Sequence, residues 1–295
     1  MTIKFSVVVP YFNDIEFIEQ CLDSVMNQTY SSFEVIVVDD CSDDSEKLKS
    51  LIENKYRKKI HIKYVRNKIN SNGAYSRNIG VSLADGDYVC FLDADDYWVE
   101  HKLKRVHDTI ILNKLGNNDV IYSKVRILAN DTSMVTRPER GITKSTHVCE
   151  YLFLGGGFMQ TSTLVVPRKV AKKLSFDVRF KRHQDYQYCI QLGLSVNFYF
   201  IDEALTIYRA KNGIYSKKLE DLDYCKYWLH EMSPLMTKNG YFGYLLFPYN
   251  ARLINSKKYF YSLKNTFNCL LNINFKGYIL ACRKLKSVLS SYKVW

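Results

Sequence analysis

Two groups of aspartates are the side chains with the clearest capacity for chemistry. Asp39 and Asp40 are adjacent, and Asp93, Asp95 and Asp96 lie within a single tetrapeptide. Carboxylates this close repel one another unless a positive charge lies between them. A divalent cation is the natural candidate, because hard oxygen ligands bind it and phosphate oxygens can complete its coordination. The alternative is a set of solvated turns, in which aspartate is common.

Each aspartate group follows an apolar segment that predicts a buried strand. Strands are expected at residues 5–9, 33–38, 60–65 and 88–92, alternating with helices at 15–26, 42–56 and 73–84. This order predicts an α/β fold with a mostly parallel central sheet and helices on both faces. Such sheets bind ligands at the carboxyl ends of their strands, so both aspartate groups are expected at one site. Asn13 followed by Glu16 predicts a capping box at the start of the first helix.

Cysteine and glycine patterns argue against several other kinds of site. The eight cysteines form no CxxC pair and no Cys/His cluster with zinc spacing. The sequence has no GxGxxG or Walker loop, which argues against NAD and P-loop chemistry. Several cysteines lie within apolar runs, as Cys90 does, which predicts buried free thiols in a reducing cytosol. A secretory signal and a run of about 18 apolar residues are both missing, so a cytoplasmic location is expected.

The net charge of +12 is concentrated in the last part of the chain. Residues 232–295 contain ten Lys or Arg and no Asp or Glu, whereas residues 1–231 contain 32 basic and 30 acidic side chains. A uniformly basic nucleic-acid-binding domain is therefore a poor interpretation, and no nucleic-acid partner is expected. A nearly neutral body with a basic C-terminal region fits the distribution better.

Residues 216–295 are expected to form a basic, aromatic and helical region after a body of residues 1–215. Helical segments are predicted at 219–228, 244–254, 259–271 and 278–289. Thirteen aromatic residues between 232 and 295 are interleaved with the ten basic ones. This mixture favours peripheral attachment to anionic lipid on the inner face of the cytoplasmic membrane. The alternatives are a helical cap that packs its aromatics on the body, and a nucleic-acid surface.

Six segments occur in an order that resembles a known family. They are residues 6–13, 35–43, 72–80, 85–96, 183–187 and 205–209. Together they are similar to the motifs of family 2 glycosyltransferases with the GT-A fold, which act in bacterial surface-polysaccharide synthesis such as that of O-antigen and capsule. The resemblance covers roughly residues 3–212. It implies a Rossmann-like GT-A domain in residues 1–215.

The resemblance implies a pocket for a nucleotide-sugar donor. Asp40 would accept a hydrogen bond from the imide N–H of uracil or thymine, and Pro10, Tyr11 and Asn13 would line the nucleotide pocket. Arg77, on the helix after the third strand, would face the nucleotide. Tyr11 is alternatively a packing aromatic, and Arg77 is alternatively an exposed helical residue.

The resemblance also implies a Mn²⁺ or Mg²⁺ ion beside the donor diphosphate. Asp95 would be the principal metal ligand, and Asp93 would assist near the ribose and the diphosphate. Arg209 ends a predicted strand that leads, in the family, into a flexible loop over the diphosphate. Lys211 stands where the family often has a histidine, and its charge could pair with a phosphate.

Asp185 is the candidate general base, by resemblance to the Glu-Asp motif of the family. An acceptor hydroxyl needs a base on the face of the anomeric carbon opposite the leaving group. Gln184 replaces the glutamate of the motif, which leaves Asp185 intact but removes one ligand or acceptor contact. Contacts to the acceptor are predicted for Thr161, Ser162, His183 and Gln184. The alternative role for Asp185 is a helix N-cap.

The sequence therefore predicts an inverting, metal-dependent glycosyltransferase of the hexosyl- or N-acetylhexosaminyltransferase class. Its donor would be a UDP-sugar, and its acceptor a hydroxyl of a glycan or of a lipid-linked sugar. One alternative is a sugar-phosphate nucleotidyltransferase, but that class needs a Gly-rich loop after the first strand, and residues 10–14 contain no glycine. The other alternative is a non-catalytic membrane or RNA adaptor that retains the fold.

Overall fold

A nine-stranded sheet forms the centre of the part of the chain that the computed structural model describes, residues 2–129, 133–210 and 222–292. The strands are β1 (Phe5–Tyr11), β2 (Phe33–Asp39), β3 (Ile62–Arg66), β4 (Tyr88–Phe91), β5 (Tyr97–Trp98), β6 (Asp119–Ala129), β7 (Ser133–Arg137), β8 (Val165–Pro167) and β9 (Asn197–Arg209). Their order across the sheet is β3-β2-β1-β4-β8-β6-β9-β5, and β7 pairs with the second half of β6.

Twelve α-helices lie around this sheet in the described ranges. They are α1 (Ile15–Met26), α2 (Ser45–Leu51), α3 (Gly73–Leu83), α4 (Lys102–Leu112), α5 (Val148–Phe153), α6 (Arg168–Lys173), α7 (Gln184–Leu192), α8 (Leu222–Met232), α9 (Lys238–Tyr244), α10 (Asn250–Asn255), α11 (Tyr259–Asn272) and α12 (Phe275–Tyr292). The predicted alternation of strands and helices over the first hundred residues is confirmed.

The half of the sheet formed by β3, β2, β1 and β4 is parallel. β1 pairs in parallel with both β2 and β4, and β2 pairs in parallel with β3. The other half is mixed, since β8 runs antiparallel to β4 and β6 whereas β9 runs parallel to β6. The expected α/β sheet is therefore confirmed, and one antiparallel strand joins its two halves.

Helices cover both faces of the parallel strands, which explains why these strands are almost wholly apolar. Val8, Ile36 and Phe91 pack into a core cluster on one face. Val7 and Val35 pack into a second cluster on the other face. Because successive side chains of a strand point to opposite faces, each strand contributes to both cores. Both faces are filled, so the polar side chains gather where the strands end.

The start of α1 differs from the predicted capping box. Asp14 is the N-cap residue, and its side chain makes no capping hydrogen bond. Asn13 has a positive φ of 51°, and its Oδ1 accepts the Asp43 N–H at 2.8 Å. The Asn13 N–H donates to Ser42 Oγ at 3.1 Å. The capping-box prediction is wrong because this side chain ties the loop after β1 to the loop after β2.

Helices α8 and α9 pack into the same core as the sheet. Trp228 and Tyr244 are fully buried, and they share a cluster with Phe91 of β4 and Phe153 of α5. The C-terminal helices predicted from the sequence are thereby confirmed. The boundary predicted between residues 215 and 216 lies outside the described residues and stays a prediction.

Two further features relate to the sequence predictions, namely the state of the cysteines and the length and polarity of the helices. All eight cysteines are free, and six of them are buried, while Cys41 is half-buried and Cys282 is exposed. The prediction of buried free thiols is confirmed for those six. Across the described ranges, every helix is too short or too polar to cross a membrane.

Helix α3 lies directly on β1 because Gly80 has no side chain. A Cβ atom at this position would lie 2.3 Å from Val8 Cγ1. Protein interiors are close-packed, so even one added methyl group must displace a neighbour. Helix α3 also carries Arg77, one turn before Gly80. The depth of this packing therefore sets the position of that guanidinium group.

We expect Gly80→Ala to destabilise the fold by about 2 kcal/mol. Overpacking against Val8 costs about 3 kcal/mol, and alanine recovers about 1 kcal/mol as the better helix former. Gly116→Ala is the matched control, since the nearest atom to its Cβ would be Asp119 Oδ2 at 3.7 Å. Urea unfolding followed by circular dichroism measures both variants. Equal stability of the two variants would contradict the close contact between α3 and β1.

Candidate active site

A pocket of about 240 Å³ lies at the carboxyl ends of β1, β2 and β4. Its lining residues are Pro10, Tyr11, Phe12, Asp14, Asp40, Gly73, Ser76, Arg77, Asp93, Ala94 and Asp95. The parallel register places Tyr11 beside Asp39, which brings the loops after β1 and β2 to the same edge. The expectation that both aspartate groups lie at one site is confirmed, since Asp40, Asp93 and Asp95 share this pocket.

Asp40 organises the loop that leads into α3. Its Oδ1 accepts a hydrogen bond from Asn67 Nδ2 at 2.8 Å, and its Oδ2 accepts one from the Asn72 N–H at 2.7 Å. The Ser71 N–H donates to both oxygens, at 3.0 and 3.1 Å. A carboxylate offers about four lone-pair sites, and these four hydrogen bonds occupy them, so a donor from a ligand would have to replace the shared Ser71 N–H.

The end of β1 and the loop after it line the pocket with a different set of side chains from the predicted one. Pro10 and Tyr11 line the pocket, as the resemblance implies. Asn13 is not among the lining residues, because its side chain binds the loop after β2. Phe12 is absent from the predicted set, but it lines the pocket with about half of its side chain exposed. Its position between the two predicted pocket residues Tyr11 and Asn13 was the sequence signal that could have identified Phe12.

Arg77 joins the pocket to the start of α7. Its Nη2 donates to Asp93 Oδ1 at 2.5 Å, and its Nη1 donates to Gln184 Oε1 at 2.8 Å. The guanidinium carbon lies 5.3 Å from the centre of the Phe176 ring. Arg77 is buried, so the alternative of an exposed helical arginine is wrong. Its charge is shared between a carboxylate and a neutral amide, because residue 184 is a glutamine.

Asp96 is not part of the predicted site. It joins the segment that carries Asp93 and Asp95 to more distant parts of the chain. It is buried, and its Oδ2 accepts from Ser162 Oγ at 2.6 Å and from Gln160 Nε2 at 2.8 Å. Its Oδ1 accepts the Arg209 N–H at 3.1 Å. These partners lie more than sixty residues away in the sequence, so local patterns could not reveal them.

Ser162, one of the residues predicted to contact the acceptor, has a structural role in this network. Ser162 is fully buried, and its carbonyl oxygen accepts from the buried Lys102 Nζ at 2.7 Å. Burial lowers the pKa of Lys102 to about 7. Thr161 is also buried. Contacts of Ser162 and Thr161 with an acceptor stay predictions.

The pocket aspartates fit a divalent cation by their charge and by their oxygen ligands. Burial raises the pKa of Asp96, and the negative charges of Asp95 and Asp93 raise it further. A cation near Asp95 and Asp93 would relieve this repulsion. Within the described part of the chain, no group of three or more His, Cys, Asp or Glu side chains could hold a metal by itself. The remaining ligands would have to be oxygens of a bound substrate, such as a diphosphate.

Asp185 is the second residue of α7 and lies next to the Arg77 bridge. His183 is the N-cap residue of this helix, so the N-cap interpretation of Asp185 is wrong. Burial of the carboxyl group raises the pKa of Asp185 to about 6. The Tyr186 N–H, which donates to Oδ1 at 2.8 Å, and the charge of Arg77 oppose this rise. Such a group is largely ionised at neutral pH and can still accept a proton.

His183 is enclosed by aromatic rings, three of which belong to the C-terminal helices. Its ring stacks on Tyr186 with centroids 5.3 Å apart, and it meets the edge of Trp228 at 5.2 Å. Tyr244 Oη lies 3.1 Å from His183 Nε2. His183 has a positive φ of 58°, a strained backbone conformation for a residue with a side chain. Helices α8 and α9 thus fix the residue two positions before Asp185.

Arg209 lies beside the aspartate group but not among the residues that line the pocket. Its guanidinium carbon is 4.6 Å from the centre of the Phe17 ring, and its Nη2 donates to Gln20 on α1. A contact of Arg209 with a donor stays a prediction. Lys211 and the predicted loop around it lie outside the described residues.

We expect Arg77→Met to raise the pKa of Asp185 above its value of about 6. The variant keeps an unbranched side chain against Phe176 but removes the positive charge that stabilises the Asp185 carboxylate. Carbon-13 NMR of the carboxyl group measures the change, and Arg126→Met, at an exposed position on β6, is the control. An unchanged or lower pKa in Arg77→Met would contradict the electrostatic coupling.

Three comparisons with known proteins bear on this site. A family model described as glycosyl transferase family 2 matches residues 6–163. Over 248 residues the chain is 38% identical to the amylovoran biosynthesis glycosyltransferase AmsB of Erwinia amylovora, a match that covers 82% of each chain.

The crystal structures of TarS from S. aureus are similar in fold. TarS 1–349 gives a TM-score of 0.59 at 21% identity, over 94% of this chain and 78% of that chain. TarS 1–349 in complex with UDP-GlcNAc gives a TM-score of 0.59 at 18% identity, over 90% of this chain and 89% of that chain. Against a longer TarS chain the TM-score is 0.58 at 23% identity, and the match covers 78% of this chain but only 39% of that one.

The comparisons agree with the geometry of the pocket. The likeness to TarS confirms the expected GT-A type of fold. The family model spans more than half of the chain and includes every residue that lines the pocket. The relative from Erwinia amylovora extends the similarity over most of the chain. This chain therefore belongs to glycosyl transferase family 2 and is a glycosyltransferase.

Proposed function

We propose that the enzyme transfers a hexosyl or N-acetylhexosaminyl group, with inversion, from a UDP-sugar to a hydroxyl of a glycan or a lipid-linked acceptor. The observation that carries this proposal is the link from Asp185 to the pocket. Arg77 contacts Asp93 inside the pocket and Gln184 beside Asp185. A basic carboxylate and a donor-binding pocket are therefore parts of one connected site.

The pocket offers complementary groups for a uridine nucleotide. Asp40 lines the pocket, and the imide N–H of uracil would take the place of the shared Ser71 N–H on its carboxylate. Phe12 presents an exposed ring on which a base can stack. Arg77 supplies positive charge near the place where a diphosphate would lie. The complex of TarS with UDP-GlcNAc supports this choice of donor.

Asp95 and Asp93 would hold the Mn²⁺ or Mg²⁺ ion, with the donor diphosphate completing its ligands. When bound, such an ion stabilises the charge that develops on the leaving diphosphate as a Lewis acid. Asp96 would stay out of this role, because it is buried against Ser162, Gln160 and Arg209 and is not among the residues that line the pocket. Its contacts keep the loop that carries Asp93 and Asp95 in place.

Asp185 would act as the general base at the acceptor side. The acceptor oxygen attacks the anomeric carbon and loses its proton to the Asp185 carboxylate. The bond from the anomeric carbon to the phosphate oxygen breaks, and UDP leaves with that electron pair. A pKa of about 6 keeps most of the carboxylate ionised at neutral pH. Gln184 and His183 directly precede this base in the sequence. Their side chains would orient an acceptor hydroxyl.

We further propose that the enzyme acts in polysaccharide biosynthesis at the inner face of the cytoplasmic membrane, as a peripheral protein. The similarity to the amylovoran biosynthesis glycosyltransferase supports the pathway class. The basic C-terminal region supports the location, since residues 232–295 carry ten basic and no acidic side chains. A lipid-linked acceptor would give this attachment a purpose.

Asp185→Asn should lower kcat by about 10²–10⁴-fold while the KM for the donor changes little, because the amide cannot accept the proton. In the unmodified enzyme kcat/KM should fall about tenfold per pH unit below about pH 6, as protonation removes the base. This acidic limb should be absent in the variant. Measured UDP release tests both, and Asp202→Asn, at an exposed position on β9, is the control. Full turnover by Asp185→Asn would remove the assignment.

Binding of UDP should raise the melting temperature, and Mn²⁺ should increase the shift. A ligand present at 100 times its Kd adds about 2.7 kcal/mol to stability. In Asp95→Asn the increment due to Mn²⁺ should be lost, because one carboxylate ligand is gone, whereas Asp202→Asn should retain it. A panel of UDP, dTDP, GDP and CMP measures base preference. A Mn²⁺ increment that survives in Asp95→Asn would contradict the metal assignment.

A further inference from the structure

The outer face of α11 is a continuous apolar stripe that the rest of the described chain leaves exposed. Phe260, Leu263, Phe267 and Leu271 are 74%, 72%, 68% and 69% exposed. Their spacing of three and four residues places them on one side of the helix, one above the other. Phe275, at the start of α12, is also apolar and is 82% exposed.

The opposite side of α11 is firmly packed. Ser262 and Cys269 are buried. Asn265 Nδ2 donates to the carbonyl oxygen of Leu245 at 2.8 Å, and Asn250 Nδ2 donates to Thr266 Oγ1 at 2.9 Å. These contacts fix the rotation of the helix about its axis. The apolar stripe is therefore presented outward by the packing of the other side, so a partner can reach it.

An exposed stripe of this composition is unusual for a soluble surface. Leucine and phenylalanine are among the residues most often buried, and contiguous apolar patches on a protein surface generally mark an interaction site. Tyr278 and Ile279 on α12 are also exposed. A single exposed leucine needs no explanation, but four exposed apolar side chains on one side of one helix do.

Basic side chains border the stripe. Lys257 and Lys258 precede α11, Lys264 lies on the exposed side of the helix beside Leu263, and Arg283 is exposed on α12. Residues 232–295 contain no acidic side chain that could neutralise them. The surface therefore combines an apolar centre with a positive border.

The apolar centre and the positive border together indicate which kind of partner binds this surface. A second copy of the chain would bring two strongly basic surfaces together, which like-charge repulsion opposes. A nucleic acid would use the positive border but would leave the leucines of the stripe without a partner. An anionic lipid surface satisfies both parts, because acyl chains accept the apolar side chains and headgroups pair with the lysines.

We propose that the outer face of α11, with the first turns of α12, inserts into the boundary between headgroups and acyl chains of an anionic bilayer. The inference rests on the peripheral attachment suggested above and assigns it to one surface. It identifies Phe260, Leu263, Phe267 and Leu271 as the inserted side chains, and Lys258 and Lys264 as contacts to anionic headgroups.

The test uses the full chain and sucrose-loaded vesicles of phosphatidylcholine, with or without phosphatidylglycerol. Cosedimentation should require phosphatidylglycerol. Phe267→Ser/Leu271→Ser should lower the partition coefficient at least tenfold, and Lys258→Gln/Lys264→Gln should lower it about fivefold for each lysine. Ile111→Ser/Leu112→Ser on α4 and Lys58→Gln/Lys59→Gln are matched exposed controls and should bind like the unmodified protein.

UDP release from a UDP-sugar, with water as acceptor, is measured on every variant. Unchanged release shows that the fold and the donor site are intact, so a loss of vesicle binding then reports on the surface alone. Retained binding by Phe267→Ser/Leu271→Ser, or equal binding to pure phosphatidylcholine, would overturn the inference. It would also fail if light scattering showed a dimer that this variant dissociates. Absence of UDP release from all proteins would instead refute the proposed donor chemistry.

Discussion

The site depends on the contact of one buried arginine with two separate parts of the chain. Arg77 binds Asp93 after β4 and Gln184 at the start of α7. Burial of this charge is costly, and its Nε has no hydrogen-bond partner among the described residues, so the bonds from Nη1 and Nη2 must hold it in place. Gln184 matters here, because its neutral amide accepts a hydrogen bond from Arg77 without neutralising the positive charge. The same cation can therefore serve the pocket and tune Asp185.

Much of the pocket could be predicted from the sequence because its parts follow parallel strands. The carboxyl ends of neighbouring parallel strands lie at one edge of a sheet, so Asp40, Asp93 and Asp95 had to be close together. The family assignment then leaves the nucleotidyltransferase and adaptor alternatives without support. What the sequence could not show was the second layer of contacts. The bonds from Asp96 to Ser162 and Arg209 join distant positions and leave no local periodicity.

Local signals were weakest where a tertiary contact competes with them. Asn13 and Glu16 have capping-box spacing, but the turn at Asp43 binds the Asn13 side chain instead. In the C-terminal region, apolar spacing predicted helices without showing what each helix face would meet. One face of α8 and α9 enters the main core, whereas one face of α11 remains exposed. Composition alone treated these helices as one region, and packing divides them.

The contact between His183 and Tyr244 has a consequence for how the enzyme matures on the ribosome. The last strand of the sheet ends at Arg209, so all strands are synthesised before the C-terminal helices, and the core that these helices share with the sheet is complete only with them. The neighbours of His183 arrive only with Trp228 and Tyr244. In a nascent chain that ends before α8, the segment before Asp185 therefore lacks its aromatic support. Completion of synthesis thus coincides with completion of the surroundings of the proposed base.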